Sequence, residues 1–377
     1  MNLWFLLFPE SRCRSLDRHA VLAFAALVGT LMVASSAATD ASGEDAPRGR
    51  MITNLAVAVN PATDKVYAVD ESAGTVLILN EATGSTSSVK VGNSPISIAV
   101  NRVINRIYVA NAASGSISVI DGQKDAVIAT VKGESHPYAL AVNEATNKVY
   151  VTNTYSNAVT VVDGVTNTAR ALAIGSADGI AIDPRNGTLF LMGYEDPNIR
   201  IVDGTTETVS KVTVGPHLWG ISFDESSGNL YLAHVDTDDV VALNEATHEV
   251  RTVPVGAIPC AVAVNPVTKT VYAVNYGDDT VSVIDAAKEK VIATLKVGQH
   301  PQAIAIDSVR NRVYVVNVHS NDVTIIDGAK NAVIGTYEGG ANPYAIAVDS
   351  VSGRAYAADY GKPSVTPIDL SRPFVHE

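Results

Sequence analysis

The chain contains little cysteine, and this scarcity excludes several kinds of stabilisation and chemistry. Of its two cysteines, Cys13 lies in an N-terminal segment that we expect to be removed, which leaves only Cys260. A single thiol forms no internal disulfide, so we expect packing to stabilise the fold. No Cys-x-x-Cys-His sequence is present, which excludes covalently attached haem. We interpret Cys260 as a small buried residue, because no base is tied to it.

Positive charge is also scarce, and this bears on the class of partner. The chain has 27 Lys and Arg against 39 Asp and Glu, a net charge of −12. An acidic surface repels phosphate backbones unless basic residues cluster, and here they are scattered through predicted turns. We therefore expect no nucleic-acid partner.

Familiar catalytic and metal-binding motifs are missing as well. The sequence has no Gly-x-Ser-x-Gly elbow and no phosphate loop. The acidic stretches "DTDD" (236–239) and "YGDDT" (276–280) lack the ligand spacing of an EF-hand. Asp178, Glu134 and Glu195 lie in predicted loops but follow no shared spacing. We predict no catalytic residue, no metal ligand and no cofactor.

The N-terminal segment differs in kind from the rest. Arg12, Arg14 and Arg18 precede an apolar run from Ala20 to Val33, and "ASSAA" (34–38) follows. This pattern is typical of a secretory signal peptide over residues 1–38. No second apolar span follows, so we expect an exported protein, periplasmic or at the cell surface, with no transmembrane span in its mature form.

An aromatic residue recurs eight times with a period of 40 to 42 residues, within a "VYV"-like element: Tyr67, Tyr108, Tyr150, Phe190, Tyr231, Tyr272, Tyr314 and Tyr356. Each unit contains four short apolar runs separated by turns. A fixed period near 41 with four strands per unit indicates an all-β propeller of four-stranded antiparallel blades. The first run of several units has alanine at alternate positions, as in "LAVAV" (55–59), which suits strands crowded against a central axis.

The number of blades depends on how the runs are counted, because the first three runs occur eight times and the fourth only seven times. Eight blades need one more strand, which residues 42–53 of the mature N-terminal segment (39–53) would add to the last blade. Seven blades, the alternative, would leave three strands over. We prefer eight, with the propeller spanning 54–370 and a C-terminal tail at 371–377.

The units "KVYVTN" (148–153), "TVYAVN" (270–275) and "RVYVVN" (312–317) resemble the YVTN-family β-propeller repeat. The resemblance covers about residues 54–370. It implies a surface-layer, secreted or periplasmic propeller, and similar blades occur in haem-d1, quinoprotein and lactonase enzymes.

Two sets of recurrent polar residues fit a structural role. One stands three positions after each aromatic residue, as Asn153 does, and the other ends the third strand, as Asp327 does. We expect both to bond the following turn.

The loops that vary most between units share one face of the predicted ring. This face holds the connections from fourth to first strands and the bends between second and third strands. Five of the seven mature histidines map there, and only His248 and His376 fall elsewhere. The candidate ligand-binding residues on or beside these loops are His136, His217, Trp219, His234, His300, His319, Tyr155, Tyr194, Tyr276 and Tyr360.

These features suggest two functions. The first is an exported, non-catalytic scaffold that binds an envelope protein, a glycan or a small ligand through this face. The alternative is an enzyme or electron-transfer subunit that holds haem d1 or a metal over the central channel.

Overall fold

The computed structural model describes residues 56–360 and 364–370. The predicted signal peptide, the predicted closing strand at 42–53 and the C-terminal tail lie outside the described residues. Within them, no helix has the length and apolarity to cross a bilayer.

The described residues form eight antiparallel sheets, each with its strands in chain order, which we call blades 1 to 8. Blades 1 to 4 contain β1 (Val57–Asn60), β2 (Lys65–Asp70), β3 (Thr75–Asn80), β4 (Thr86–Lys90); β5 (Pro95–Asn101), β6 (Arg106–Asn111), β7 (Ser116–Asp121), β8 (Ala126–Lys132); β9 (Pro137–Asn143), β10 (Lys148–Asn153), β11 (Val159–Asp163), β12 (Thr168–Leu172); β13 (Gly179–Ile182), β14 (Leu189–Met192), β15 (Asn198–Val202), β16 (Val209–Thr213).

Blades 5 to 8 contain β17 (Leu218–Asp224), β18 (Asn229–His234), β19 (Asp239–Asn244), β20 (Val250–Pro254); β21 (Pro259–Asn265), β22 (Thr270–Asn275), β23 (Thr280–Asp285), β24 (Lys290–Lys296); β25 (Pro301–Asp307), β26 (Arg312–Asn317), β27 (Asp322–Asp327), β28 (Ala332–Glu338); β29 (Pro343–Asp349), β30 (Arg354–Asp359), β31 (Val365–Pro367). Blade 8 therefore has three strands among the described residues.

The blades close into a ring. The first strand of each blade contacts the first strand of the next, and β29 contacts β1. Blade 8 is also bonded to blade 1, because Arg354 Nη1 donates to the Glu81 carbonyl oxygen at 3.2 Å. The prediction of an eight-bladed propeller is confirmed, and the seven-bladed alternative is wrong.

The inner strands approach one another closely, as the alternating alanines predicted. A Cβ added to Gly220 would lie 2.9 Å from Ala261 Cα and 3.0 Å from Val262 N, both on the next blade. Only glycine fits against backbone at this distance.

The repeated tyrosines join neighbouring blades. Tyr108 and Tyr272 are fully buried, and each places its hydroxyl against the turn between the third and fourth strands of the next blade. A Cβ at Gly164 would lie 2.4 Å from Tyr108 Oη, and one at Gly328 would lie 3.0 Å from Tyr272 Oη. The "DG" pairs that end several third strands thus combine a turn-capping aspartate with a glycine that leaves room for this tyrosine.

Polar bonds also link the blades at one end of the ring, which we call the lower face. This face holds the turns between first and second strands and between third and fourth strands. Asn60 Nδ2 donates to Asn105 Oδ1 at 2.7 Å, and Asn265 Nδ2 donates to Asn311 Oδ1 at 2.7 Å. Asn60 and Asn265 are completely buried. Such satisfied buried amides fix the stacking of one blade on the next.

Candidate functional site

The opposite end of the ring, which we call the upper face, carries the predicted site residues. Its bends are held by asparagines three positions after the repeated aromatic residue, as predicted. Asn153 Nδ2 donates to the Ala158 carbonyl oxygen at 2.8 Å and to Thr160 Oγ1 at 3.1 Å. Asn317 Nδ2 bonds Thr324 Oγ1 at 2.9 Å in the same way. The bonds to third-strand hydroxyls are an addition that the sequence pattern did not reveal.

In five of the eight blades, the residue just before the first strand has the same backbone conformation. It is left-handed, with φ between 50° and 62°, at five positions: Ser94, His136, His217, Ile258 and His300. Its carbonyl oxygen accepts a hydrogen bond from the first residue of the bend in the same blade, as His300 O does from Val318 N at 3.1 Å. The backbone therefore presents this side chain beside the same bend in each of these five blades, and the residue type varies among them.

On blade 3 this arrangement brings His136 to Tyr155. Their ring centroids are 4.8 Å apart. Tyr155 is largely exposed to solvent, with 62% of the residue accessible. The two rings together form a partly exposed aromatic surface.

Between blades 4 and 5, His217 lies among aromatic and acidic side chains. Its ring is 4.9 Å from that of Tyr194, and the Tyr194 ring is 6.4 Å from that of Trp219. His217 Nδ1 contacts Asp236 Oδ2, and Nε2 lies 3.5 Å from Glu195 Oε2. Both ring nitrogens therefore face carboxylates.

Between blades 6 and 7, the rings of Tyr276 and His300 are stacked, with centroids 4.7 Å apart and planes at 23°. His300 Nδ1 lies 2.7 Å from His319 Nδ1. Burial, followed by the neighbouring His319, lowers the pKa of His300 below its ordinary value. Burial raises the pKa of Tyr276 to about 12, so its hydroxyl stays protonated at neutral pH.

The remaining predicted residues lie apart from these clusters. Tyr360 packs edge-on against Tyr344 on blade 8, at 5.5 Å. His234 occupies the position of the scaffold asparagines and is buried, with 8% exposed. A Cβ at Gly215 would lie 2.7 Å from His234 Cε1, so the loop before blade 5 covers this ring.

We expect His234 to stabilise the fold in a pH-dependent manner. His234 Nδ1 lies 3.4 Å from Asp239 Oδ1, and this carboxylate raises the pKa of His234 above 6.5. A raised folded-state pKa contributes stability that is complete below about pH 6.5 and is lost as pH rises through the folded value. Relative to His234→Asn, the wild type should lose unfolding free energy in urea titrations as the pH rises above about 6.5. A pH-independent difference between the two proteins would contradict this assignment.

One feature of blade 4 escaped the sequence reasoning. Gly193 replaces the scaffold asparagine, and Arg200 replaces its third-strand Ser or Thr partner. The Arg200 side chain is 6% exposed, and Nη1 donates to the Ile174 carbonyl oxygen at 2.9 Å. Nη2 bonds the Ser176 carbonyl oxygen, and Nε lies 3.7 Å from Asp196 Oδ2. Both substitutions fall in the same repeat. Aligning the repeats position by position would have revealed that they occur together.

Two other residues considered from sequence have scaffold contacts. Asp178 Oδ2 accepts a hydrogen bond from Tyr194 N at 2.8 Å, which fits the capped turn. Cys260 is buried, and burial raises its pKa to about 12, so it is not a nucleophile at neutral pH. Across the described residues, no group of three or more His, Cys, Asp or Glu is arranged to hold a metal ion.

Charge is divided unequally between the two faces. Among the described residues, the upper-face loops contain no Lys or Arg and nine carboxylates: Glu71, Glu134, Asp178, Glu195, Asp196, Asp236, Asp238, Asp278 and Asp279. The lower-face turns contain carboxylates together with seven basic residues: Arg102, Lys124, Arg185, Lys269, Lys288, Arg310 and Lys330. The described loop residues of the candidate face are therefore acidic, and lysines at the ends of fourth strands border them: Lys90 Nζ donates to the Ala73 carbonyl oxygen, and Lys296 Nζ lies 3.6 Å from Asp279 Oδ2.

Comparison with solved structures supports the fold and leaves function open. The chain is similar to hydrazine synthase of Kuenenia stuttgartiensis, at 17% identity over 89% of this chain and 100% of that chain, with a TM-score of 0.59. It is similar to the computationally designed Ika8 protein, at 12% identity over 85% and 97%, with a TM-score of 0.69. It is also similar to the dihydro-heme d1 dehydrogenase NirN in complex with DHE, at 12% identity over 96% and 87%, with a TM-score of 0.67. No family model and no curated protein matches the chain.

Identities this low show the shared propeller and nothing finer. The chain is an eight-bladed β-propeller whose structural neighbours include enzymes and a designed protein.

Proposed function

We propose that this protein is an exported, non-catalytic propeller of the YVTN type, whose upper face binds a positively charged partner. The observation that carries the proposal is the division of charge and ring side chains between the two faces. Among the described loop residues, the upper face combines nine carboxylates with the His136, His217 and His300 ring clusters, whereas the lower-face turns contain seven basic residues beside their carboxylates.

This combination favours a particular partner chemistry. Carboxylates attract Lys and Arg from a distance and orient an approaching partner. Exposed Tyr and Trp rings bind cations on their faces and pack against aliphatic stems. A basic segment of an envelope protein satisfies both requirements, and a small organic cation satisfies them on a smaller scale. The signal-peptide pattern at residues 1–38 supports placing this encounter outside the cytoplasm.

The scaffold contacts support a binding role for the variable residues. The left-handed residue before each first strand is Ser, His or Ile in different blades, although its backbone bonding is the same. A side chain that changes on a constant backbone is available for recognition.

Two variants with equal charge change would test the proposal. Glu195→Lys with Asp236→Lys reverses charge on the upper face, and Glu225→Lys with Glu249→Lys does so on the lower face. Wild type and both variants would be used to capture partners from envelope extracts and to bind poly-L-lysine. We expect the upper-face variant to lose at least about tenfold in affinity for both. Equal binding by the two variants, or a captured partner that is acidic at its binding site, would refute the proposal.

A second test concerns the three histidines that precede first strands. We expect His136→Asn, His217→Asn and His300→Asn together to leave the melting temperature within about 2 °C of wild type, because Asn tolerates the left-handed backbone. Partner affinity measured on the same samples should fall. A large drop in melting temperature would instead assign these side chains to the scaffold.

A further inference from the structure

Blade 7 differs from the other blades in one respect that points to metal chemistry. Two imidazoles meet there, with 2.7 Å between His300 Nδ1 and His319 Nδ1. At the equivalent places, blade 3 pairs a histidine with Tyr155, and blade 5 pairs a histidine with Asp236. Blade 7 alone among these three brings two imidazole nitrogens to one point.

The backbone holds this pair in place. Val318 N donates to the His300 carbonyl oxygen at 3.1 Å, and His319 N donates to the Gln299 carbonyl oxygen at 3.2 Å. His300 N in turn donates to Asp279 Oδ1 at 2.8 Å. The Tyr276 ring covers one side of the His300 ring. Little conformational freedom therefore remains to be lost when a ligand joins the two rings.

The distance between the nitrogens selects a coordination geometry. Two imidazoles in a hydrogen bond share one proton, and a metal ion can take the place of that proton. With metal to nitrogen bonds of about 2.0–2.1 Å, two cis ligands at 90° lie about 2.9 Å apart, and two tetrahedral ligands about 3.3 Å apart. The observed separation is closer to the cis arrangement of a tetragonal ion such as Cu²⁺ or Ni²⁺.

A nearby carboxylate that could also donate to a metal has partners of its own. The Asp279 carboxylate is engaged by His300 N and lies 3.6 Å from Lys296 Nζ. Two imidazoles are therefore the protein donors.

We propose that His300 and His319 form a binding site for one divalent transition-metal ion of tetragonal preference, Cu²⁺ or Ni²⁺, on the upper face of blade 7. The site shares His300 with the proposed partner-binding face, but metal binding requires only the His300 and His319 side chains and can be measured without the partner.

The test is titration of tag-free protein with NiCl₂, and separately with CuCl₂, by isothermal calorimetry in a non-coordinating buffer at pH 7.5. We expect one nickel ion per chain in the wild type. His319→Asn and His300→Asn should each weaken nickel binding by at least about tenfold, and the double variant should weaken it no further, because a chelate is lost with either ligand. ZnCl₂ should bind more weakly than either metal, in keeping with the cis geometry.

His136→Asn serves as the matched control, since it removes one left-handed histidine of the same face without touching blade 7. It should bind nickel as the wild type does, and unchanged melting temperatures would show that all variants are folded. Electron paramagnetic resonance of the copper complex should show hyperfine coupling to two nitrogens that disappears in His319→Asn. Wild-type nickel affinity in His319→Asn, or an equal loss in His136→Asn, would overturn the proposal whatever the outcome of the partner-binding experiments.

Discussion

Replacing Tyr272 by alanine should lower the free energy of unfolding by about 3–5 kcal/mol, the cost typical of removing a large buried ring. Tyr272 is fully buried in the apolar layer between blades 6 and 7, among Val274, Val313 and Ile326. The space cannot close easily, because the backbone around Gly328 is fixed by its own turn. Urea denaturation followed by tryptophan fluorescence would measure the loss.

Tyr272→Phe is the matched control. The Tyr272 hydroxyl is buried and has no hydrogen-bond partner among the described residues. Removing it should therefore change stability by less than about 1 kcal/mol. A phenylalanine variant as unstable as the alanine variant would show that the hydroxyl, and not the ring, joins the blades.

Arg200→Ser should destabilise the protein by about 3 kcal/mol, because it leaves two loop carbonyl groups and nearby carboxylates without a buried cation. The guanidinium bonds the Ile174 and Ser176 carbonyl oxygens and lies beside Asp196. Burial lowers the pKa of Arg200, and Asp196 and Asp178 oppose that shift. Chemical denaturation would again give the value.

The sequence of the other blades supplies the rescue. Adding Gly193→Asn to Arg200→Ser restores the asparagine and hydroxyl pair found in blades 2, 3, 6 and 7. We expect the double variant to recover at least about 1 kcal/mol relative to Arg200→Ser. Gly193→Asn alone should be destabilising, because the third-strand hydroxyl partner is still missing and a Cβ at Gly193 would lie 3.3 Å from Asp196 Cβ. Additive losses in the double variant would contradict the idea that these two positions are exchanged as a unit.

The fold could be predicted from the sequence because the evidence for it is periodic. Eight aromatic residues at a nearly constant spacing, with Tyr108 and Tyr272 as typical members, define a unit too small to bury its own faces. Closure into a ring of eight followed from counting strands, although the strand expected to complete blade 8 lies outside the described residues.

The sequence predicted on which face the candidate residues lie, but not which side chains contact one another. Loop connectivity correctly placed His136, His217, His300 and His319 at the upper end of the ring. It could not give the partners of each ring, because these depend on which bend of which blade approaches a left-handed residue. His234 is an example. It occupies the same position in its repeat as Asn275 does, and a loop covers its ring, so it does not join the exposed histidines. The Arg200 and Gly193 exchange needed comparison of each repeat with the others, position by position.

The blades are tied together by the asparagine pairs and tyrosines near the lower face, while the upper loops hold the residues that differ from blade to blade. Substitutions in the upper loops thus leave these lower contacts between blades intact, and substitutions at the lower contacts leave the upper-loop side chains unchanged. The variable upper-loop residues can therefore change over evolutionary time while the same lower contacts continue to hold the blades together.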